Sequence, residues 1–184
     1  LPLLWEHRRH LSRDALRAVV VSQLLILLYI AWRFRRFIWG AAAVLATLHD
    51  VLVTVGLMSL LGIELSMGAI AAVLTIVGYS MNDTIVVFDR IREIMKGHRK
   101  DSFVEVLNFS INQTLTRTVI TSGLTLLSVL VLMIWGGEVN RDFVEILLIG
   151  IVVGTYSSIF VASPILLVLE RFADSRAQTQ TGRR

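Results

Sequence analysis

The sequence has no cysteine, only 2 prolines and only 17% charged residues among its 184 positions. Without cysteine there are no disulfides and no thiolate metal sites, and the redox compartment is left open. Soluble domains carry about 25% charged residues. The charge deficit, with a mean hydropathy of +0.71, therefore points to a membrane protein. Gly-rich phosphate loops, nucleophile–base constellations and metal-ligand clusters of useful spacing are also missing from the sequence. A chain without them is expected not to be an enzyme and to hold no metal. The first residue is Leu1 and no signal peptide is visible, which suggests a fragment or processed form of a longer chain.

What the sequence does have is apolar runs, with 55% hydrophobic residues overall. A polar, basic leader (1–14) precedes spans expected at about 15–32, 37–61, 67–88, 117–135 and 143–169. Each is near the roughly 20 residues needed to cross about 30 Å of hydrocarbon. Residues 15–171 thus form one transmembrane domain, followed by a polar cytoplasmic tail at 172–184. Between the third and fourth spans, Phe103, Leu107, Ile111 and Leu115 recur every four residues. Ser102 and Glu105 ahead of them have the form of a capping box. This pattern predicts a separate amphipathic helix at about 102–115, lying at the cytoplasmic membrane surface. The expected fold class is all-α integral membrane, with five transmembrane helices and one interfacial helix.

A net charge of +4 could suggest nucleic acid, but the bases cluster at the ends of apolar runs. That is where a membrane protein keeps its cytoplasmic positives, so the expected surroundings are a lipid bilayer and no nucleic acid. Placing Arg33, Arg90 and Arg171 on the cytoplasmic side gathers 12 of the 18 bases there. Five spans put the chain ends on opposite faces, so an upstream span and an external domain are expected before Leu1.

Gly78 to Thr84 (GYSMNDT) is a polar knot inside the third apolar run. An ionisable residue within a membrane span is costly, by roughly 3 kcal/mol on insertion scales, and is by default a candidate functional site. Asp83 is that residue. It lies five residues before Phe88, about 8 Å inside the cytoplasmic end. Arg117 opens the next span from the same face, at similar depth. A carboxylate held between burial and a nearby cation gains or loses a proton with small movements of its partner, as a proton relay requires. A static ion pair, or an arginine that snorkels to the interface, reads equally well from the spacing.

Ser80, Asn82, Thr84, Thr118, Thr121 and Ser122 are candidate supporting polar groups, or ordinary helix–helix glue. His49 and Asp50 form a second ionisable pair. As neighbours about 100° apart on a helix they are not expected to share a ligand site; they can bond neighbouring helices or extend a polar path in support of Asp83, and a structural role is favoured. Gly150, Gly154, Ser158 and Ala162 recur every four residues, a small-residue stripe for close helix packing or a subunit interface. Pro164 is expected to kink that span.

The stretch LTIVGYSMNDTIVVFDRIRE (Leu74 to Glu93) resembles the SecF branch of the SecD/SecF family of bacterial export subunits. So do LHDV (Leu48 to Val51), TLTRTVITS (Thr114 to Ser122) and the stretch from Gly136 to Pro164, and the likeness covers roughly 15–171. The resemblance implies a fold like that of resistance–nodulation–division transporters, with a first helix and a periplasmic domain missing from this chain. It implies a multi-pass protein of the bacterial cytoplasmic (inner) membrane that uses the proton gradient in late steps of preprotein export. SecD, the SecY/SecE/SecG channel, YajC and preproteins are the implied partners, with protons as coupling ion and no other cofactor. The family's intramembrane Asp and Arg, associated with proton conduction, fall on Asp83 and Arg117. A proton-coupled transporter half for small solutes, or a scaffold for the translocon, are the alternatives.

Overall fold

A computed structural model of the chain describes residues 2–97, 102–137 and 140–181. Six helices follow one another: α1 (Pro2–Phe34), α2 (Phe37–Leu60), α3 (Met67–Gly97), α4 (Phe103–Trp135), α5 (Arg141–Phe160) and α6 (Ala162–Thr181). Among the described residues there is no strand. Five segments are long and apolar enough to cross a membrane, α5 and the start of α6 together forming the fifth.

The connections are short, and local chemistry sets them. Arg35 takes a left-handed conformation (φ 54°) and Arg36 an extended one, which reverses the chain between α1 and α2 in two residues. α2 ends in a Schellman motif around Gly62 (φ 70°), with Ile63 N–H donating to Met58 O at 3.0 Å and Gly62 N–H to Ser59 O at 3.2 Å. The start of α4 carries the capping box read from the sequence. Ser102 Oγ accepts from Glu105 N–H at 3.3 Å, and Glu105 Oε2 accepts from Ser102 N–H at 2.8 Å. Such a cap contributes about 1 kcal/mol to helix stability.

Two expectations about helix extent are corrected. The amphipathic stretch at 102–115 is not a separate interfacial helix, because α4 runs unbroken from Phe103 to Trp135. No Gly or Pro interrupts it near residue 116, and its 33 residues reach about 50 Å, well beyond a bilayer's hydrocarbon. Likewise α3 continues past Phe88 through the basic segment to Gly97. The overhanging ends of α3 and α4 pack together, burying Ile91, Ile94, Val106 and Leu107. The leader is helical too, continuous with the first span in α1. In the last span the helix is interrupted at Val161, three residues before Pro164. The ring of Pro164 lacks the N–H that would reach Phe160 O and crowds the preceding turn.

The interior has two apolar clusters. One gathers Ile30, Phe34, Trp39, Phe88, Ile91 and Leu166 toward the basic helix ends, with Phe34 stacked on Trp39 at 5.2 Å between ring centroids. The other gathers Val51, Ala72, Ile76, Val144 and Ile151 toward the opposite end. α3 is the central helix and packs most extensively on α5. Gly150 and Gly154 allow this approach: a methyl group on Gly150 would collide with Ile76, and one on Gly154 would lie 3.2 Å from Ser80 Cβ. The small-residue stripe, with Ser158 and Ala162 also buried, is thus used within the chain rather than between subunits.

Candidate functional site

Between the two apolar clusters lies a layer of buried polar side chains contributed by α2, α3, α4 and α5. Ser80 and Asp83 are three residues apart on α3 and so share one face. Asp50 is fully buried at 0% exposure, and its Oδ2 accepts a short hydrogen bond from Ser80 Oγ. Its Oδ1 lies 3.0 Å from His49 Nδ1. With Asp50 ionised, that contact requires the Nδ1–H form of the ring. The two neighbours thus bond to each other, and Asp50 bonds Ser80 across to α3.

Asp83 is also buried, at 4% exposure, but it is held differently. Its one side-chain hydrogen bond among the described residues comes from Ser122 Oγ at 3.4 Å, longer than an ordinary O–H···O bond. Ser122 is itself a junction. It accepts from Tyr79 OH at 3.1 Å, and Thr155 Oγ1 lies 2.8 Å away. Thr155 also reaches Ile151 O at 2.7 Å, so its single proton is divided between two acceptors.

Arg117 does not pair with Asp83. It is exposed and forms no ion pair among the described residues. It lines an open groove of about 540 Å³ between the basic ends of α1, α3 and α4, with Arg33, Asp89, Arg90, Glu93, Gln113, Thr114 and the apolar floor of Ile85 and Val86. Most charges there are matched: Arg33 bonds Asp89 at 3.0 Å, while Arg90 pairs with Glu93 and donates to Gln113 Oε1 at 2.6 Å.

Of the other sequence candidates, Ser80 and Ser122 sit in the layer. Asn82 is exposed on the far side of α3. Thr84 and Thr121 turn back onto their own helices, to Ser80 O at 3.1 Å and Arg117 O at 2.8 Å. Sequence reasoning missed Tyr79 and Thr155, whose roles arise only when three helices converge on Ser122. It also missed Glu170, at the end of the last span, to which it gave no role. That carboxylate is buried and accepts from Trp39 Nε1 at 2.7 Å and Arg36 Nη1 at 2.8 Å. Among the described residues no three His, Cys, Asp or Glu side chains come together as a metal site.

Apolar helices closing around a layer of buried carboxylates and hydroxyls define a multi-pass membrane protein. The chain belongs to the SecD/SecF family: residues 7–172 match the family of protein export membrane protein SecD/SecF, C-terminal. It is 53% identical to the protein translocase subunit SecF of Rhodothermus marinus, over 94% of this chain and 58% of that one. It is 54% identical to the protein translocase subunit SecDF of Thermus thermophilus, over 85% of this chain and 21% of that one. A crystal structure of SecDF in a super-membrane-facing form superposes with a TM-score of 0.84 at 50% identity, covering 92% of this chain and 23% of that one. The SecDF structure from Thermus thermophilus, described as a translocon-associated membrane protein, gives 0.81 at 52% identity, covering 87% and 22%. The chain spans from 41% to 58% of the length of the SecF relatives from Koribacter versatilis and Rhodothermus marinus.

Proposed function

We propose that this chain is the membrane core of a SecF-type export subunit in the bacterial cytoplasmic membrane, where Asp83 takes up and releases the protons that drive late translocation of preproteins. The observation that carries this reading is the state of Asp83: a carboxylate buried in a membrane domain and held by one long hydrogen bond. Such a group has weak ties to either protonation state, so a small approach or retreat of Arg117 changes which state it prefers. Each charge that crosses 100 mV of membrane potential delivers about 2.3 kcal/mol. That is enough to bias two helix arrangements separated by a few kcal/mol.

Protons are the coupling ion and no other cofactor is needed; the chain couples a gradient to motion and is not an enzyme. The fused SecDF relative supports SecD as the direct partner, and the translocon-associated description of its structure supports contact with the SecY/SecE/SecG channel. YajC and the preprotein itself complete the set that the family resemblance implies.

The test is Asp83→Asn in the full complex, reconstituted in vesicles that carry a proton gradient. The variant is expected to insert and assemble at the normal yield, and to lose proton conductance and proton-dependent stimulation of export together. Unchanged conductance with a reduced yield of complex would make Asp83 a scaffold residue.

A further inference from the structure

The buried hydroxyls along α4 divide into those that are bonded and one that is not. Ser110 and Thr114, like the less buried Thr121, Thr125 and Ser128, each donate to the carbonyl four residues earlier, the usual resting place for a hydroxyl on an apolar helix. Ser122 turns outward to Asp83. Thr118, between Thr114 and Ser122 on the same face, does neither. Its side chain is buried at 1% exposure, and Oγ1 has no hydrogen-bond partner among the described residues. A buried hydroxyl without a partner is costly, and buried water is what commonly satisfies such groups.

Its position gives this hydroxyl a use. One turn toward the basic helix ends lies Thr114, which lines the groove beneath Arg117. One turn the other way lies Ser122, the hydrogen-bond donor to Asp83. Residues four apart on a helix face are about 5–6 Å from each other. A water making two hydrogen bonds of about 2.8 Å fills one such gap, so one on each side of Thr118 spans the distance from Thr114 to Ser122.

We propose that Thr118 seats two water molecules that carry protons between the Arg117 groove and the Ser122–Asp83 pair. This rests on the reading of Asp83 as the relay. Ser122 passes its hydroxyl proton to Asp83 Oδ2 and takes one from the nearer water, which is re-protonated by the second water on the Thr114 side that opens to the groove. One proton enters, one reaches Asp83, and neither hydroxyl is left charged. Thr118 is thus a positioning residue: it holds the waters and keeps its own proton.

The experiment uses the full complex with its SecD partner in vesicles, comparing Thr118→Val, Thr118→Ala, Thr118→Ser and Asp83→Asn. Two readings are taken per assembled complex: proton-driven stimulation of export, and the rate at which the Asp83 carboxyl infrared band, identified by its loss in Asp83→Asn, shifts in D2O. Thr118→Val and Thr118→Ala are expected to slow both by roughly tenfold, less than the hundredfold or more that proton-transfer groups themselves contribute. Thr118→Ser, which keeps the hydroxyl, is expected to stay near wild type. If valine prevents assembly, the alanine variant decides. Normal rates in the hydroxyl-free variants, with Asp83→Asn inactive, would overturn the water site and leave the relay standing. Equal losses in the serine and hydroxyl-free variants would reduce Thr118 to packing and overturn the proposal. Full activity in Asp83→Asn would remove the relay, and this inference with it.

Discussion

Asp50 and Asp83 are buried in the same polar layer, one turn apart in depth, yet their surroundings are opposite. Asp50 has a close hydroxyl on one oxygen and an imidazole 3.0 Å from the other. Asp83 has a single donor at 3.4 Å, and the arginine expected beside it stands in an open groove instead. Asp50, bonded on both oxygens, ties α2 to α3 through Ser80. Asp83, bonded loosely on one oxygen, is the carboxylate that suits the relay proposed above. Both are buried, and what distinguishes them is the number and length of their hydrogen bonds.

The contrast can be broken experimentally, most strongly at Asp50. Asp50→Ala leaves the buried Ser80 hydroxyl and the partly exposed His49 ring without their shared acceptor. It is expected to destabilise the folded domain by about 3 kcal/mol, in the range for losing one partner of a buried pair. Thermal unfolding of the purified complex in detergent measures this, and an equal loss in Asp83→Ala would erase the distinction. Next in size is Ser80→Ala, expected to cost about 2 kcal/mol because an Asp50 oxygen is left unpaired. Ser122→Ala removes only a long bond, and in the same assay it should cost under about 1 kcal/mol. A reversed order would mean that Ser122, not Ser80, is the structural hydroxyl. The smallest effect is expected at Gly154→Ala, whose methyl would press on Ser80 from 3.2 Å. A loss of about 0.5 kcal/mol, overpacking offset in part by alanine's better helix propensity, and larger than that of Gly78→Ala, where nothing lies within 4 Å, would show that the α5 contact seats the Asp50 clamp.

Much of this was legible in the sequence, for identifiable reasons. Apolar runs mark the spans because a backbone in lipid must satisfy its own hydrogen bonds and so forms helix. Asp83 stands out because a charge in such a run is expensive, and the Ser102–Glu105 box is local chemistry that needs no tertiary context. Helix ends were read less well. The sequence changes from apolar to charged at Asp89, but a helix does not stop where the lipid stops. Leu107 and Ile94 show that the amphipathic pattern recorded helix–helix packing, not a surface helix. The Asp50–Ser80 bond, the Ser122 junction and the Glu170 clamp were not legible, because each joins residues at least 30 positions apart on helices whose rotation only packing decides.

The overhang of α3 gives the polar layer mechanical reach. Gly97 lies 14 residues beyond Asp83 on one unbroken helix, about 21 Å along its axis. A tilt of about 10° pivoting at Asp83 would sweep that tip sideways by about 4 Å, by the geometry of a rigid rod of that length. α4, braced against α3 over the same stretch, stiffens the rod against bending. A displacement too small to open a cavity at the carboxylate is thus magnified into one that a neighbouring protein can feel.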